Sequence, residues 1–538
     1  MTVLNLEHSF CCTVQYVRVE NLILSLNLRV LIVDDSRGCT TLIRQQLIKL
    51  GVSYENIIIT TSYQQAIKAI ETHHFQILLI DYHLEQSLTG FELLGILYHN
   101  RLIDQTVATI LLSGDRRQET VLTALSGRAQ HFISKPINTV VLGNKIQTAL
   151  YEAKQITQLT QLYPISQQAT LNLALNIPNA DTKVMFEATL IDHLLAGKKW
   201  ELLSYLLKKS KTKMHPTKLV AEALTLYEFG KPKSAIDKLH NYLIKQPLSL
   251  NVMDCLSSIY EKHQMLVPAL KLAIRTFELT PSISHRAIRA IDLAENVGNT
   301  AMLLKLGKTY ANSISSADTD VINSISTYFK SLKAIYEREA NMVSKKVLIK
   351  HADQFTAQVR LKFPSKLQNQ LLSNLAIFHC HILIFEENEK WAYQKLMRAT
   401  TLLSDSFNDE PSDLFNQLLP LFIHFGEYSL YRAVKEGRQT QDAPLLKQAQ
   451  KQTLSPSALT LPENSKSIEY IKGYVHNFPY SVSAKLDYLY ATNSKTIQKK
   501  CSDNMVQEIT QLELPERWKK WINDSLGNGF TIKPPSPF

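Results

Sequence analysis

The chain has 538 residues, 45% of them hydrophobic and 20% charged, which is the composition of an ordinary globular protein. No stretch approaches the roughly 18 consecutive apolar residues of a transmembrane helix, and the start of the chain lacks the basic and apolar blocks of a signal peptide. The six cysteines are scattered without disulfide or zinc-site spacing, so we expect a cytoplasmic location. The formal net charge of +11 lies almost entirely beyond residue 150, and it permits an acidic partner without requiring one.

Residues 1–27 form an N-terminal extension, after which short apolar runs alternate with amphipathic segments up to residue 150. The runs are RVLIV, NIIIT, ILLID, ATILLS and HFIS, and the segments between them, QETVLTALSG included, have helical periodicity. A last helix is predicted from about Thr139 to Lys154. Strands without polar alternation are typical of a parallel sheet that is covered on both faces. The pattern therefore predicts an α/β doubly wound, five-stranded parallel sheet of the flavodoxin-like type.

Polar residues follow four of the five predicted strands. They are Asp34 and Asp35 after the first, Asp81 after the third, Ser113 after the fourth and Lys135 after the fifth. In an open α/β sheet, ligands bind at the carboxyl ends of the strands. Converging carboxylates require a cation, and an oxygen-rich site with room for water suits Mg²⁺. A hydroxyl and an ammonium would complement the oxygens of a phosphoryl group.

The blocks VLIVDDS, LLIDYHLEQSLTGFELL, ILLSG and AQHFISKP resemble the signature of the receiver domain of two-component response regulators. The resemblance covers about residues 28–150. It implies that Asp81 accepts phosphate from a histidine kinase or a phosphotransfer protein. It also implies that Asp34, Asp35, Asp81 and the backbone carbonyl of His83 hold Mg²⁺.

The same resemblance assigns roles to the residues at the other strand ends. Ser113 and Lys135 would bind the phosphoryl oxygens, and Phe132 stands at the position of the family's aromatic switch residue. Lys135-Pro136 matches a peptide bond that is often cis in the family. His83 lies two residues after the acceptor, where the family's side chain influences how fast water attacks the acyl phosphate.

Helical periodicity continues to the end of the chain, and part of it is repetitive. Similar residues recur 34 positions apart, at Leu226 and Tyr260, Gly230 and Gln264, Ala235 and Ala269, and Pro247 and Pro281. A period of 34 with small residues at fixed places resembles the tetratricopeptide repeat. The alternative is a generic antiparallel helical bundle. The favoured interpretation is an all-α, tetratricopeptide-like solenoid over residues 181–315.

The rest of the helical region is divided by composition. We expect a connector over residues 151–180, in which the last receiver helix runs on towards Pro164. Further helices are predicted for 316–450, a linker for 451–467, C-terminal helices for 468–525 and a disordered tail for 526–538.

The helical region contains no recognisable catalytic or nucleotide-binding motif, so we expect no enzymatic activity beyond the receiver's own phosphorylation and dephosphorylation. The favoured output is binding of an unidentified protein ligand by the helical repeats. The alternative is a nucleic-acid-binding regulator that uses the basic helical region, although no basic recognition helix is evident.

Overall fold

The computed structural model describes residues 24–84, 88–114, 131–177, 180–404, 407, 412–437, 468–493 and 499–538. By contact density the chain separates into two compact units, Met1–Ile259 and Tyr260–Phe538. Within the described residues, no helix is both long enough and apolar enough to cross a membrane.

A five-stranded parallel sheet forms the N-terminal part of the first unit, as predicted. Its strands are β1 (Val30–Val33), β2 (Ile57–Thr60), β3 (Ile77–Asp81), β4 (Ala108–Ser113) and β5 (His131–Ser134). They lie in the order β2-β1-β3-β4-β5. Every residue of β1, β3 and β4 is buried, because helices cover both faces of the central strands. The predicted helix QETVLTALSG lies outside the described residues.

Nine helices of the first unit fall within its described part. They are α1 (Arg37–Lys49), α2 (Tyr63–Thr72), α3 (Gly90–His99), α4 (Thr139–Leu162), α5 (Gln167–Asn176), α6 (Ala180–Ala196), α7 (Trp200–Lys209), α8 (Pro216–Glu228) and α9 (Pro232–Lys245). Helix α4 runs on past Lys154 to Leu162, within the predicted connector, because no helix-breaking residue occurs before Pro164. Residues 24–28 cover the end of the predicted extension and the start of the predicted receiver domain. They belong in part to the sheet domain, because Leu24 and Leu28 are buried in its core.

A buried ion pair connects α6 with α8. The carboxylate of Glu187 accepts hydrogen bonds from Ser210 and Thr212 at 2.7 and 2.6 Å, and the ammonium of Lys218 lies 3.6 Å away. Burial raises the pKa of Glu187. That effect is outweighed by the His215 imidazole 3.9 Å away, by the hydrogen bonds from Thr212 and Ser210 and by the charge of Lys218, which together lower the pKa of Glu187 to about 2. Glu187 is therefore ionised in the folded protein across the physiological range.

The remaining helices begin with α10 (Leu250–Lys262), which spans the boundary of the two units. The others are α11 (Leu266–Leu279), α12 (Ser284–Asn296), α13 (Thr300–Ser313), α14 (Val321–Arg338), α15 (Met342–Arg360), α16 (Ser365–Phe385), α17 (Glu389–Ser404), α18 (Ser412–His424), α19 (Tyr428–Gly437), α20 (Ile468–Asn477), α21 (Val482–Asn493), α22 (Lys499–Thr510) and α23 (Glu516–Asn528). The region after the sheet domain is thus helical throughout its described part, as predicted. The linker predicted at 451–467 lies outside the described residues.

The helices from α8 to α13 repeat with the predicted period. Helices α8, α10 and α12 each begin 34 residues after the one before, and so do α9, α11 and α13. The turn within each pair contains a residue of positive φ, at Gly230 (74°), Gln264 (60°) and Gly298 (74°). Glycine adopts this conformation at little steric cost, and Ala235 and Ala269 are fully buried as small contact residues. This region is built as a helical repeat, and its kinship with tetratricopeptide proteins stays a prediction.

The last helices are anchored to α17–α19 by a buried carboxylate. Glu427 is fully buried in the turn between α18 and α19. It accepts a hydrogen bond of 2.6 Å from the backbone N–H of Val482, at the start of α21, and bonds from the hydroxyls of Tyr393 and Ser483. A carboxylate at a helix N-terminus satisfies donors that have no partner within the helix. The predicted C-terminal helices therefore share a core with the preceding region.

The expectation of a disordered tail differs from the structure. Helix α23 runs to Asn528, and the indole N–H groups of Trp518 and Trp521 each donate a 3.0 Å hydrogen bond to a tail carbonyl. The ring of Phe538 stacks on Phe407 with the centroids 4.4 Å apart. The tail is ordered because buried indole groups need acceptors, and the nearby backbone supplies them.

Candidate functional site

Three carboxylates meet at the carboxyl edge of the sheet. β1 and β3 are neighbours in register, so Asp34 directly after β1 and Asp81 at the end of β3 lie side by side. Each of Asp34, Asp35 and Asp81 offers one oxygen, and these oxygens all lie within 4.8 Å of one another. Asp34 and Asp81 are buried and Asp35 is exposed, so the cluster is open to solvent on one side.

Lys135 reaches this cluster from the end of β5. Its Nζ lies 2.8 Å from Asp34 Oδ2 and 2.8 Å from Asp81 Oδ1. The Lys135-Pro136 peptide bond is cis, as predicted, and the Lys135 N–H donates a 2.8 Å hydrogen bond to the carbonyl of Ser113. Burial lowers the pKa of Lys135, but the hydrogen bonds to Asp34 and Asp81 raise it above its usual value. The ammonium is therefore a fixed positive charge in the site.

The electrostatics of Asp81 differ from those of a surface aspartate. Burial raises its pKa, and the nearby charges of Asp34 and Asp35 raise it further, against the lowering effect of Lys135. A carboxyl group is nucleophilic only when it is ionised. A further cation beside these carboxylates would favour the ionised form of Asp81.

Hydrogen bonds fix the first carboxylate in place. Asp34 Oδ1 accepts from the N–H of Ser36 at 2.8 Å, while Oδ2 accepts from Lys135. The side chain of Ser36 in turn caps α1 by accepting from the N–H of Cys39. The loop from β1 to α1 therefore holds Asp34 in one orientation.

The hydroxyl predicted from the sequence lies at the end of β4. Ser113 is fully buried and is the last residue of that strand. A Cβ added to Gly114 would meet none of the described atoms within 4 Å. Phe132 is half-buried on β5 and pairs with Leu111. Its role as a switch stays a prediction.

His83 is exposed two residues beyond Asp81. Its ring contacts Tyr82 edge to face, with the centroids 5.0 Å apart. The backbone before it is fixed, since the N–H of Tyr82 donates to the carbonyl of Leu112 at 2.7 Å. The function of the His83 carbonyl as a metal ligand stays a prediction.

Gly90 packs against Asp81, a contact that the sequence motifs do not predict. A Cβ at this residue would lie 2.0 Å from the carbonyl oxygen of Asp81 and 2.8 Å from Ile80 Cγ2. Gly90 begins α3, which starts with a capping box in which Thr89 and Glu92 exchange hydrogen bonds. Only a residue without a side chain allows the helix to approach the acceptor strand so closely. The signal in the sequence was a glycine directly after the capping threonine.

The donor set fits a hard divalent cation. With all three carboxylates ionised and one ammonium beside them, the cluster has a formal charge of −2. All the candidate ligand atoms are oxygens, the ligand type that Mg²⁺ prefers. The exposed side at Asp35 leaves room for the water ligands that Mg²⁺ usually keeps.

Comparison with known proteins agrees with this arrangement. Residues 30–147 match the model of the response regulator receiver domain. This part of the chain is a receiver domain. The match confirms the receiver domain, and the five-stranded parallel sheet confirms the fold, that the sequence motifs predicted.

Two solved structures are similar to this receiver domain. One is a CheY-like receiver domain protein from Methanospirillum hungatei, with 28% identity over 24% of this chain and 98% of that chain, at a TM-score of 0.22. The other is the signal receiver domain of an HD domain-containing protein from Pseudomonas fluorescens, with 20% identity over the same shares and a TM-score of 0.22. Among curated proteins, no significant match to the chain is found.

Proposed function

We propose that this chain is a phosphorylation-controlled response regulator, in which Asp81 accepts phosphate from a histidine kinase or a phosphotransfer protein. One observation carries the proposal. The oxygens of Asp34, Asp35 and Asp81 lie within 4.8 Å of one another, with the Lys135 ammonium 2.8 Å from two of the carboxylates. This arrangement supports a site that holds an acceptor carboxylate, a metal and a phosphoryl group together.

The proposed reaction is an in-line transfer. A carboxylate oxygen of Asp81 attacks phosphorus, the phosphorus–nitrogen bond of the donor phosphohistidine breaks, and its electron pair leaves with the imidazole. Asp81 becomes an acyl phosphate, while the Lys135 ammonium and the Ser113 hydroxyl bind phosphoryl oxygens. Asp34, Asp35 and Asp81, with the His83 carbonyl, would hold Mg²⁺, which offsets negative charge on the phosphoryl oxygens when it is bound.

The helical region is the proposed output. Helix pairs recur every 34 residues, and repeats of this kind commonly provide binding surfaces for protein ligands. Affinity capture from cells with the wild type and Asp81→Asn side by side tests this part. Two results together would support a protein-binding output. The full chain should retain a protein in amounts that depend on Asp81, and the helical region alone should retain the same protein.

The phosphoacceptor is tested on the full-length chain with Mg²⁺ and acetyl phosphate. The wild type should gain one phosphate that is stable in acid and labile in base, and Asp81→Asn should gain none. Asp104→Asn is the matched control, because Asp104 is an exposed aspartate of the same domain at the opposite edge of the sheet. Phosphate on the Asp81→Asn chain would contradict the assignment, as would its absence from the control.

A further inference from the structure

Strand β5 connects the acceptor site with helix α4. Lys135, directly after the strand, contacts Asp81, while His131 begins the strand. His131 Nε2 lies 2.7 Å from Glu152 Oε2 of α4, and the two side chains are only 10% and 4% exposed. Four residues of strand, about 13 Å at 3.3 Å per residue, separate the two contacts. One short strand is thus held by polar contacts at both ends.

Helix α4 belongs to two hydrophobic cores. Ile146, Ala149 and Ala153 are buried in the core of the receiver domain. Leu159, further along the same helix, is buried in a second core that is formed by helices α4 to α8. Glu152 lies on the last turn that touches the receiver, directly before the helix passes into the second core. A displacement of α4 at Glu152 therefore reaches the second core without crossing a loop.

A second polar connection between the receiver and these helices bypasses β5. The Gln105 side chain, in the loop between α3 and β4, accepts a 2.7 Å hydrogen bond from Thr189 and donates one of 3.3 Å to Asp192, both on α6. This loop precedes β4, whose other end carries Ser113, so it lies at the edge of the sheet opposite to the carboxylates. It provides a fixed attachment rather than a route from the acceptor.

We propose that the His131–Glu152 contact couples the phosphorylation state of Asp81 to helices α4 to α6. This inference rests on the proposed function of Asp81. A phosphoryl group on Asp81 gives Lys135 a new anionic partner, so the end of β5 moves with the lysine. A buried charge-assisted hydrogen bond is short and directional. It fixes the position of the strand relative to the helix at this point, so a small movement of the strand reaches the helix. The contact is a positioning device and takes no part in the transfer of phosphate.

The test measures hydrogen exchange of residues 151–196 in the full-length chain, with and without acetyl phosphate and Mg²⁺. The double variant His131→Phe with Glu152→Leu removes the contact and leaves no buried group without a partner, an exchange that proteins often tolerate. The single variant Glu152→Gln serves as a milder second case. Thr189→Val is the matched control, because it removes the Gln105 hydrogen bond instead. Phosphate per chain is measured by intact mass in every sample.

The wild type and Thr189→Val should show a phosphorylation-dependent change of exchange in residues 151–196. In the double variant this change should fall at least threefold, with phosphate incorporation unchanged, and Glu152→Gln should lie between the two. A double variant whose change stays within twofold of the wild type would overturn the coupling and leave the phosphoacceptor intact. A phosphorylated wild type without any change of exchange would overturn it in the same way, and a wild type that gains no phosphate would overturn both proposals.

Discussion

Replacing Gly90 by alanine should distort the end of β3, which carries Asp81. The new Cβ would lie 2.0 Å from the Asp81 carbonyl oxygen, and ordinary contact begins at 3.4 Å, so α3 and the end of β3 must separate by about 1.4 Å. Overpacking of this kind costs about 3 kcal/mol, because the obstructing atom belongs to the backbone. The better helix propensity of alanine returns about 1 kcal/mol. The net expectation is a receiver domain destabilised by about 2 kcal/mol.

The effect on phosphorylation should be larger than the effect on stability. A misplacement of about 1 Å costs about 100-fold in rate when reacting atoms must be aligned, so Gly90→Ala should slow phosphate incorporation by about that factor. The rate is measured on the full-length chain with acetyl phosphate and Mg²⁺, alongside thermal unfolding.

The same substitution at Gly38 provides the control. Gly38 lies in the first turn of α1, close to the site, and its added Cβ would meet only Ser36 Oγ at 3.9 Å. Gly38→Ala should keep the wild-type rate and leave stability equal or raise it by about 0.5 kcal/mol. The reasoning is refuted if Gly90→Ala is phosphorylated as fast as Gly38→Ala.

Three further outcomes are expected. Asp35→Ala should weaken Mg²⁺ binding, measured by calorimetry, and slow phosphorylation; unchanged affinity would mean that this carboxylate is not a ligand. Glu187→Gln should lower the free energy of unfolding by about 3 kcal/mol at pH 7, because the pKa of Glu187 is about 2 in the folded protein against the ordinary 4.5. This stabilisation is fully present above pH 4.5 and becomes smaller as the pH falls towards 2. A difference in melting temperature between variant and wild type that does not shrink over that window would contradict this. Deletion of residues 529–538 should destabilise the second unit and expose Trp518 and Trp521, seen as a red shift of tryptophan fluorescence, whereas an unchanged spectrum would show that the tail contributes nothing.

The cluster of polar residues at the edge of the sheet could be predicted because its residues lie at strand ends. Once a parallel sheet is inferred from buried apolar runs, topology brings Asp34, Asp81, Ser113 and Lys135 to one edge, whatever the loops do. Gly90 could not be found in this way. Its close contact with the Asp81 carbonyl depends on the path of the chain between β3 and α3, and no periodic pattern encodes that path.

The structure of the helical region could be predicted where the sequence pattern repeats. It could not be predicted where the conformation depends on a single contact. The 34-residue spacing that was read from Gly230 and Gln264 reappears in the positions of the helices and of the positive φ angles. The tail was misjudged because its prolines indicate an extended chain. Whether an extended chain packs depends on a partner such as Trp518, and local composition cannot supply that information.

If Asp81 accepts phosphate as proposed, the charges around Lys135 change. Its ammonium is shared between Asp34 and Asp81 at 2.8 Å from each, in a place where burial already raises the pKa of Asp81. Phosphorylation would convert the Asp81 carboxylate into an acyl phosphate, which carries more negative charge at a greater distance from the backbone. The attraction of Lys135 to residue 81 would then change relative to its attraction to Asp34. A complete reversal of a two-state equilibrium from 1:99 to 99:1 requires about 5.5 kcal/mol of differential stabilisation. A charge-assisted hydrogen bond contributes only about 1.5–3 kcal/mol, so the proposed switch needs Mg²⁺ and Ser113 to act together with Lys135.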